Sequence, residues 1–168
     1  MNFRRFKPKD AEFCFKVRSH AFIQKFYGEL NPETVAAGVN AYLPDDYIQI
    51  AKQMPFFLVE EDGVPLGFFV VKRKNKTTAE LLLIYIDLNH LGLGIGKSCV
   101  RFIEKWLPAN WPEIQNLMVD TVIPRYNGVF YQSLGFIPTE EAFCDFSGLK
   151  VKALRMGKKI DHKNPSQT

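Results

Sequence analysis

Cysteine is scarce in this chain: Cys14, Cys99 and Cys144 are odd in number, far apart and without a C-x-x-C pair. Neither a disulfide framework nor a cysteine-based zinc site is expected, and a reducing compartment fits best. Histidine is equally sparse, with His20, His90 and His162 in separate segments lacking ligand spacing, so no metal centre is expected. No apolar run approaches the ~18 residues of a membrane span. Met1 is followed by Asn2-Phe3-Arg4-Arg5, which is no apolar signal core. Concentrated charge is missing too. The formal charge is +4, and Lys158, Lys159 and Lys163 against Asp161 put +2 of it in residues 158–168, leaving +2 for the body. A nucleic-acid binder normally shows a basic stripe, so no nucleic-acid partner is expected. The one basic cluster, Lys72-Arg73-Lys74-Asn75-Lys76, reads as a solvated hairpin turn. These absences predict a cytoplasmic protein with no membrane partner.

What is present is an ordinary globular composition, 46% apolar and 24% charged over 168 residues, long enough for one full core. Residues 1–157 read as a single domain and 158–168 as a polar, frayed tail. Asn2 to Phe6 reads as an edge strand. Asp10 offers an N-cap to a helix carrying Phe13, Val17 and Ala21 at four-residue spacing. Asn31-Pro32 starts a second helix, broken near Pro44 and ending about Gln53. Apolar runs 56–61 and 66–72 flank Asp62-Gly63, a hairpin signature. A long strand over 79–88 leads to a helix with Ile95, Cys99, Phe102, Ile103 and Trp106 on one face, ended by Pro108 and Pro112. Gln115 to Val122 then reads as a strand reached by a helical crossover, hence parallel to its predecessor. Pro124 begins a short helix containing Tyr131, and strands 139–146 and 149–156 form a last hairpin at Ser147-Gly148.

The richest stretch is the run Glu80 to Ile86 followed by His90-Leu91-Gly92-Leu93-Gly94-Ile95-Gly96-Lys97-Ser98. A strand, a glycine-rich turn and a helix start make an anion cradle, because glycines admit close approach and the first helical N–H groups are free. Spacing excludes two better-known cradles. A Walker loop ending in Gly96-Lys97-Ser98 needs glycine at position 91, which is Leu91; G-x-G-x-x-G puts its third glycine on Lys97 or Cys99.

What remains resembles the pyrophosphate loop of the GNAT superfamily of acyl-CoA-dependent N-acetyltransferases: Arg or Gln, two residues, Gly, one residue, Gly or Ala. Gly94 and Gly96 match, and Leu91 replaces the polar head. Tyr131-Gln132-Ser133-Leu134-Gly135-Phe136 is similar to the family's later tyrosine, three residues, Gly-Phe; where the family often has Asn and Ala upstream, this chain has Pro124 and Asn127.

The resemblance implies an α/β (α+β) fold: a mixed, mostly antiparallel sheet of six to seven strands, about four helices, and a splayed parallel strand pair at the cofactor site. It implies acetyl-CoA as acyl-donor cosubstrate, its arm bonded by the backbone of Ile84, Tyr85 and Ile86. Its pyrophosphate would be held by the amides of Leu91, Gly92, Leu93, Gly94, Ile95, Gly96 and Lys97. Tyr131 would be the acid for the departing thiolate. Glu80 resembles in position the catalytic glutamate of the family's histone-acetylating branch, and Asp120 on the neighbouring strand is a second candidate base. An oxyanion donor is expected near Ile86.

The acceptor pocket is expected from the first two helices and the last hairpin, including Phe26, Tyr27, Glu29, Tyr42, Asp45, Asp46 and Phe143, a set suited to a cationic amine. Cys99 reads as packing. The implied function is acetyl transfer to a primary amine, small-molecule or protein and peptide, by direct attack. The other reading is a non-catalytic acyl-CoA-binding or regulatory module of the same fold. Acyl-chain length, acceptor identity and homodimer formation stay open.

Overall fold

The computed structural model describes residues 1–123, 125 and 127–162; Pro124, expected to open the short helix, and the tail from Lys163 lie outside them. Seven strands form one sheet: β1 (Asn2–Arg5), β2 (Phe56–Glu61), β3 (Val64–Arg73), β4 (Thr78–Ile86), β5 (Asn116–Val122), β6 (Ile137–Phe146) and β7 (Leu149–Lys159). Their order is β1-β2-β3-β4-β5-β7-β6. Neighbours are antiparallel except β4 and β5, which the crossover helix makes parallel. The helices are α1 (Ala11–Phe26), α2 (Pro32–Asn40), α3 (Pro44–Gln53), α4 (Ile95–Asn110) and α5 (Gly128–Gln132). Asn31 caps α2 as expected, its side chain accepting from the Thr34 N–H at 2.8 Å.

Side chains alternate across the strands, so the central sheet is covered on both faces. Phe57, Val59, Phe69, Val71 and Leu81 meet Ile95, Cys99, Ile103 and Leu107 of α4 and Tyr131 of α5. On the opposite face Leu58, Phe68, Val70 and Leu83 meet Cys14 and Val17 of α1 and Tyr47 of α3.

Five local expectations are amended. In α1 Val17 is buried as expected, but the buried face is wider than the stripe 13, 17, 21: Cys14, Arg18, Phe22 and Phe26 are buried too, and Phe13 and Ala21 are half-buried. Asp10 precedes α1 without a capping bond. Its carboxylate instead takes two bonds from Arg4 (2.8 and 3.0 Å) and the Lys7 N–H (2.8 Å). Pro108 lies inside α4, one turn before its end, where only the bond to the Glu104 carbonyl is forfeited. The Trp111 N–H closes that turn on the Leu107 carbonyl at 2.7 Å, with the Trp106 and Trp111 rings packed edge to face. The last strand runs past residue 157 to Lys159, and Ile160 is buried with its N–H on the Gln115 carbonyl at 2.8 Å. Strand β4 also stops at Ile86 rather than 88.

The Asp10 cluster yields a stability prediction. Desolvation would raise the carboxyl pKa, but the Arg4 and Lys7 bonds outweigh it and hold the pKa below its usual value. A depressed carboxyl pKa stabilises the fold above the unfolded value of ~3.9 and loses that contribution as pH falls through the folded value. Asp10→Asn is expected to cost about 3 kcal/mol at pH 7, and the deficit relative to the parent should shrink below pH ~4 in urea titrations.

Candidate active site

Strands β4 and β5 pair at three registers, Thr78 with Asn116, Ala79 with Leu117 and Glu80 with Met118, and then part. The cause lies in β4. Val70 faces Leu83 while Val71 faces Leu81, so Leu82 is an extra residue, a β-bulge that bends the strand just past the fork. β5 meanwhile stays paired to β7 through Val122, so it cannot follow. A cavity of about 1070 Å³ fills the gap, bordered by Leu81 to Ile86 on one side and Val119 to Val122 on the other.

At its rim lies the glycine loop. Gly94 adopts φ 75° as the N-cap of α4, a conformation that a side chain would strain. The N–H groups of Ile95, Gly96 and Lys97 precede the first bond of the helix, Ser98 N–H to the Gly94 carbonyl at 3.0 Å, and stay open to a ligand. Leu91, Gly92, Gly94, Ile95, Gly96 and Lys97 all line the cavity and Leu93 does not; the Leu93 side chain is 67% exposed and that of Ile95 is packed in the core. Those two can offer only their backbones.

Tyr131 enters the same cavity from α5. It is held by a Schellman turn: the Phe136 N–H bonds the Tyr131 carbonyl at 3.1 Å and the Gly135 N–H bonds the Gln132 carbonyl at 2.9 Å. Gly135, at φ 85°, supplies the left-handed residue that this turn demands. The rings of Tyr131 and Phe136 complete it, edge to face at 5.6 Å.

The sequence profile of the acetyltransferase (GNAT) family matches residues 18–136. The chain belongs to this family. No curated protein matches it, but solved structures share its fold. The GCN5-related N-acetyltransferase of Rhodopseudomonas palustris is 18% identical, with 94% of each chain covered and a TM-score of 0.80. The PaiA N-acetyltransferase of Thermoplasma acidophilum, solved with coenzyme A, is 20% identical over 94% of this chain and 98% of that one, at 0.78. The ribosomal-protein-S18-alanine N-acetyltransferase of Escherichia coli is 12% identical over 99% and 98%, at 0.69. Among the described residues, no helix is long and apolar enough to cross a membrane.

In this GNAT chain the two carboxylates singled out by sequence have different surroundings. Glu80, the last paired residue at the fork, is 8% exposed, and its Oε2 is buried without a hydrogen-bond partner, 3.6 Å from the Lys74 ammonium. Asp120 is clamped by Arg155, Oδ1 to Nε at 2.8 Å and Oδ2 to Nη2 at 2.9 Å. A carboxylate with both oxygens engaged by a guanidinium is a poor proton acceptor, whereas Glu80 keeps one oxygen without a hydrogen bond.

Of the expected acceptor residues, Phe26, Tyr42 and Phe143 line the cavity. Tyr27 is 78% exposed, and Glu29 pairs with Arg125 at 3.2 Å. Asp46 takes the Leu43 N–H at 2.8 Å and Asp45 is exposed, so this pair serves the start of α3. Sequence reasoning missed Arg18, Lys25, Cys144 and Arg155, which all line the cavity. Arg18 carried a readable signal: it stands at a core position in the spacing Cys14, Arg18, Phe22, Phe26. Burial pushes the Cys144 thiol up to about 11, so it is protonated at neutral pH and unsuited to nucleophilic attack.

Proposed function

We propose that this protein transfers an acetyl group from acetyl-CoA to a primary amine by direct attack within a ternary complex. The observation that carries this reading is the three-register pairing of β4 and β5, which leaves strand edges open beside a loop of free amides. An extended, amide-bearing arm can pair with such an edge as a strand would, while the N–H groups of residues 91–97 and the N-terminus of α4 receive the phosphates. Backbone groups of Ile84, Tyr85 and Ile86 take the arm, and Lys97 adds charge at the phosphates.

The thioester supplies an activated acetyl carbon and a thiolate leaving group. Glu80 takes a proton from the attacking amine, directly or through water, as the C–N bond forms. Tyr131 gives its proton to sulfur as the C–S bond breaks, and solvent returns a proton from Glu80 to Tyr131. Burial, together with the nearby Tyr85, raises the Tyr131 pKa, so its hydroxyl is protonated at neutral pH. A free thiol of pKa ~8.5 would be the stronger acid in water, but the same dry cavity destabilises the thiolate and narrows the mismatch. With Cys144 protonated, an acyl-enzyme on that thiol is disfavoured, which supports direct transfer.

Calorimetry is the decisive test: acetyl-CoA and CoA should bind with dissociation constants below about 1 mM, and Gly94→Val, which loads a β-branched side chain onto φ 75°, should weaken both. If neither ligand binds the parent protein, the assignment is lost. Leu91, 55% exposed where the family motif has a polar head, is the observation that favours the second reading, an acyl-CoA-binding module without turnover. Thiol release with a panel of amines separates the two. A cytoplasmic location belongs to the same proposal.

A further inference from the structure

Two cations on one face of α1 enter the cavity without a counter-charge. Arg18 is 1% exposed and Lys25, seven residues on, is half-buried; both line the cavity, with Phe22 between them. Arg18 donates through Nη1 to the carbonyls of Gly38 (2.7 Å) and Val39 (3.4 Å) in the last turn of α2. Its guanidinium carbon also lies 4.7 Å from the Tyr42 ring centre, 5.3 Å from Phe22 and 5.7 Å from Tyr85.

These contacts orient the group and leave its charge unneutralised. Among the described residues, neither Arg18 nor Lys25 has a carboxylate within the 4.0 Å of an ion pair. Asp120 is taken by Arg155, and Glu80 faces Lys74. Arg18 Nε is buried with no hydrogen-bond partner, and so is Glu80 Oε2. Burial lowers the Lys25 pKa, as expected of a desolvated ammonium lacking a carboxylate.

A buried charge without a partner costs several kcal/mol, and that cost is relieved when an anion arrives. The cavity therefore offers unmet donors on α1 and an unmet acceptor on β4. Tyr42, whose ring centre lies 4.7 Å from the Arg18 guanidinium, lines the same cavity as Glu80.

Building on the acetyltransferase reading, we propose that the acceptor is a small amine carrying its own carboxylate, an amino-acid-like molecule. Its carboxylate is received by Arg18 and Lys25, and its amine is turned toward Glu80. Polyamines are disfavoured by the same pair, since an added positive charge beside α1 meets two cations that have no ion-pair partner among the described residues. Such an acceptor differs from the expectation drawn from Asp45 and Asp46, which serve α3; the cavity wall holds Arg18 and Lys25 beside the carboxylates Glu80, Asp120 and Asp145.

The test compares carboxylates with their uncharged twins. N-acetyl derivatives of the twenty L-amino acids and the corresponding carboxamides are titrated into CoA-saturated protein by calorimetry, and thiol release is measured with the free amino acids, their amides and spermidine. At least one acid should bind about tenfold or more tightly than its amide, the scale of one charge-assisted contact. The matching free amino acid should be acetylated in preference to its amide and to spermidine. Lys25→Gln should lower the acid-to-amide ratio severalfold, Arg18 keeping part of it, while acetyl-CoA affinity is retained. Arg18→Gln is the second variant, read only if its circular dichroism matches the parent, because Arg18 also holds the end of α2. Acids and amides binding alike, no acid binding at all, or spermidine outperforming every amino acid would each overturn the proposal. Failure to bind acetyl-CoA would remove the acetyltransferase reading separately, and the acid-to-amide comparison on ligand-free protein would still report on the cation pair.

Discussion

Tyr131→Phe should lower kcat by about 10²- to 10³-fold, the usual contribution of a positioned acid, and leave acetyl-CoA affinity nearly unchanged. The ring does the structural work: it packs edge to face against Phe130 at 5.0 Å and Phe136 at 5.6 Å, and the Schellman bonds use its backbone carbonyl. Phenylalanine keeps all of this and removes only the hydroxyl. The loss should therefore appear in kcat and not in thermal stability. The pH profile adds a second check. A phenol whose pKa is raised above its ordinary value of ~10 keeps its proton throughout the neutral and mildly alkaline range. The parent enzyme should show no falling alkaline limb from this group below pH ~10. Thiol release that survives Tyr131→Phe at the parental rate would remove the tyrosine from the mechanism.

Glu80→Gln should have the next largest effect, with a dependence on the acceptor's basicity. An amine of pKa ~10.4 costs about 4 to 5 kcal/mol to deprotonate at pH 7, against ~1 kcal/mol for an α-amine near 7.8. Removing the base should cut kcat/KM about 10²-fold at pH 7 for strongly basic amines and less for weakly basic ones. The free-amine fraction rises tenfold for each pH unit below the amine's pKa, so the deficit should close as pH rises toward 10. A deficit that is constant across pH and across amines would assign Glu80 a structural role at the fork. Asp120→Asn provides the contrast. It loosens the Arg155 clamp and should act mainly on stability, with no pH-dependent recovery of rate.

Most of the architecture was legible because its signals are local. Asp62-Gly63 and Ser147-Gly148 sit at hairpin turns, Asn31-Pro32 opens α2, and the crossover through α4 makes β4 and β5 parallel. The loop and Tyr131 were legible because each answers to a short-range need: a helix start with open amides, and a left-handed residue ending a short helix. Local rules failed where two local solutions were both adequate. Of the stripe 13, 17 and 21 only Val17 is fully buried, and what packs against α1 extends the buried face to Cys14, Arg18, Phe22 and Phe26. Pro108 reads as a stop, yet a turn already at a helix end loses a single bond there, which the packing of Trp111 offsets.

By itself the sequence determined the family, the strand order's central parallel pair, the amide-rich loop and the tyrosine, since each depends on residues close together along the chain. The tertiary structure alone decided how far β4 and β5 run together, which carboxylate keeps an oxygen without a hydrogen bond and which is clamped, and that Arg18 and Lys25 face a shared cavity. Those outcomes depend on neighbours as far apart as Asp120 and Arg155, or Arg18 and Gly38. Charge pairing and desolvation are properties of distance in space, and no spacing along the chain encodes them.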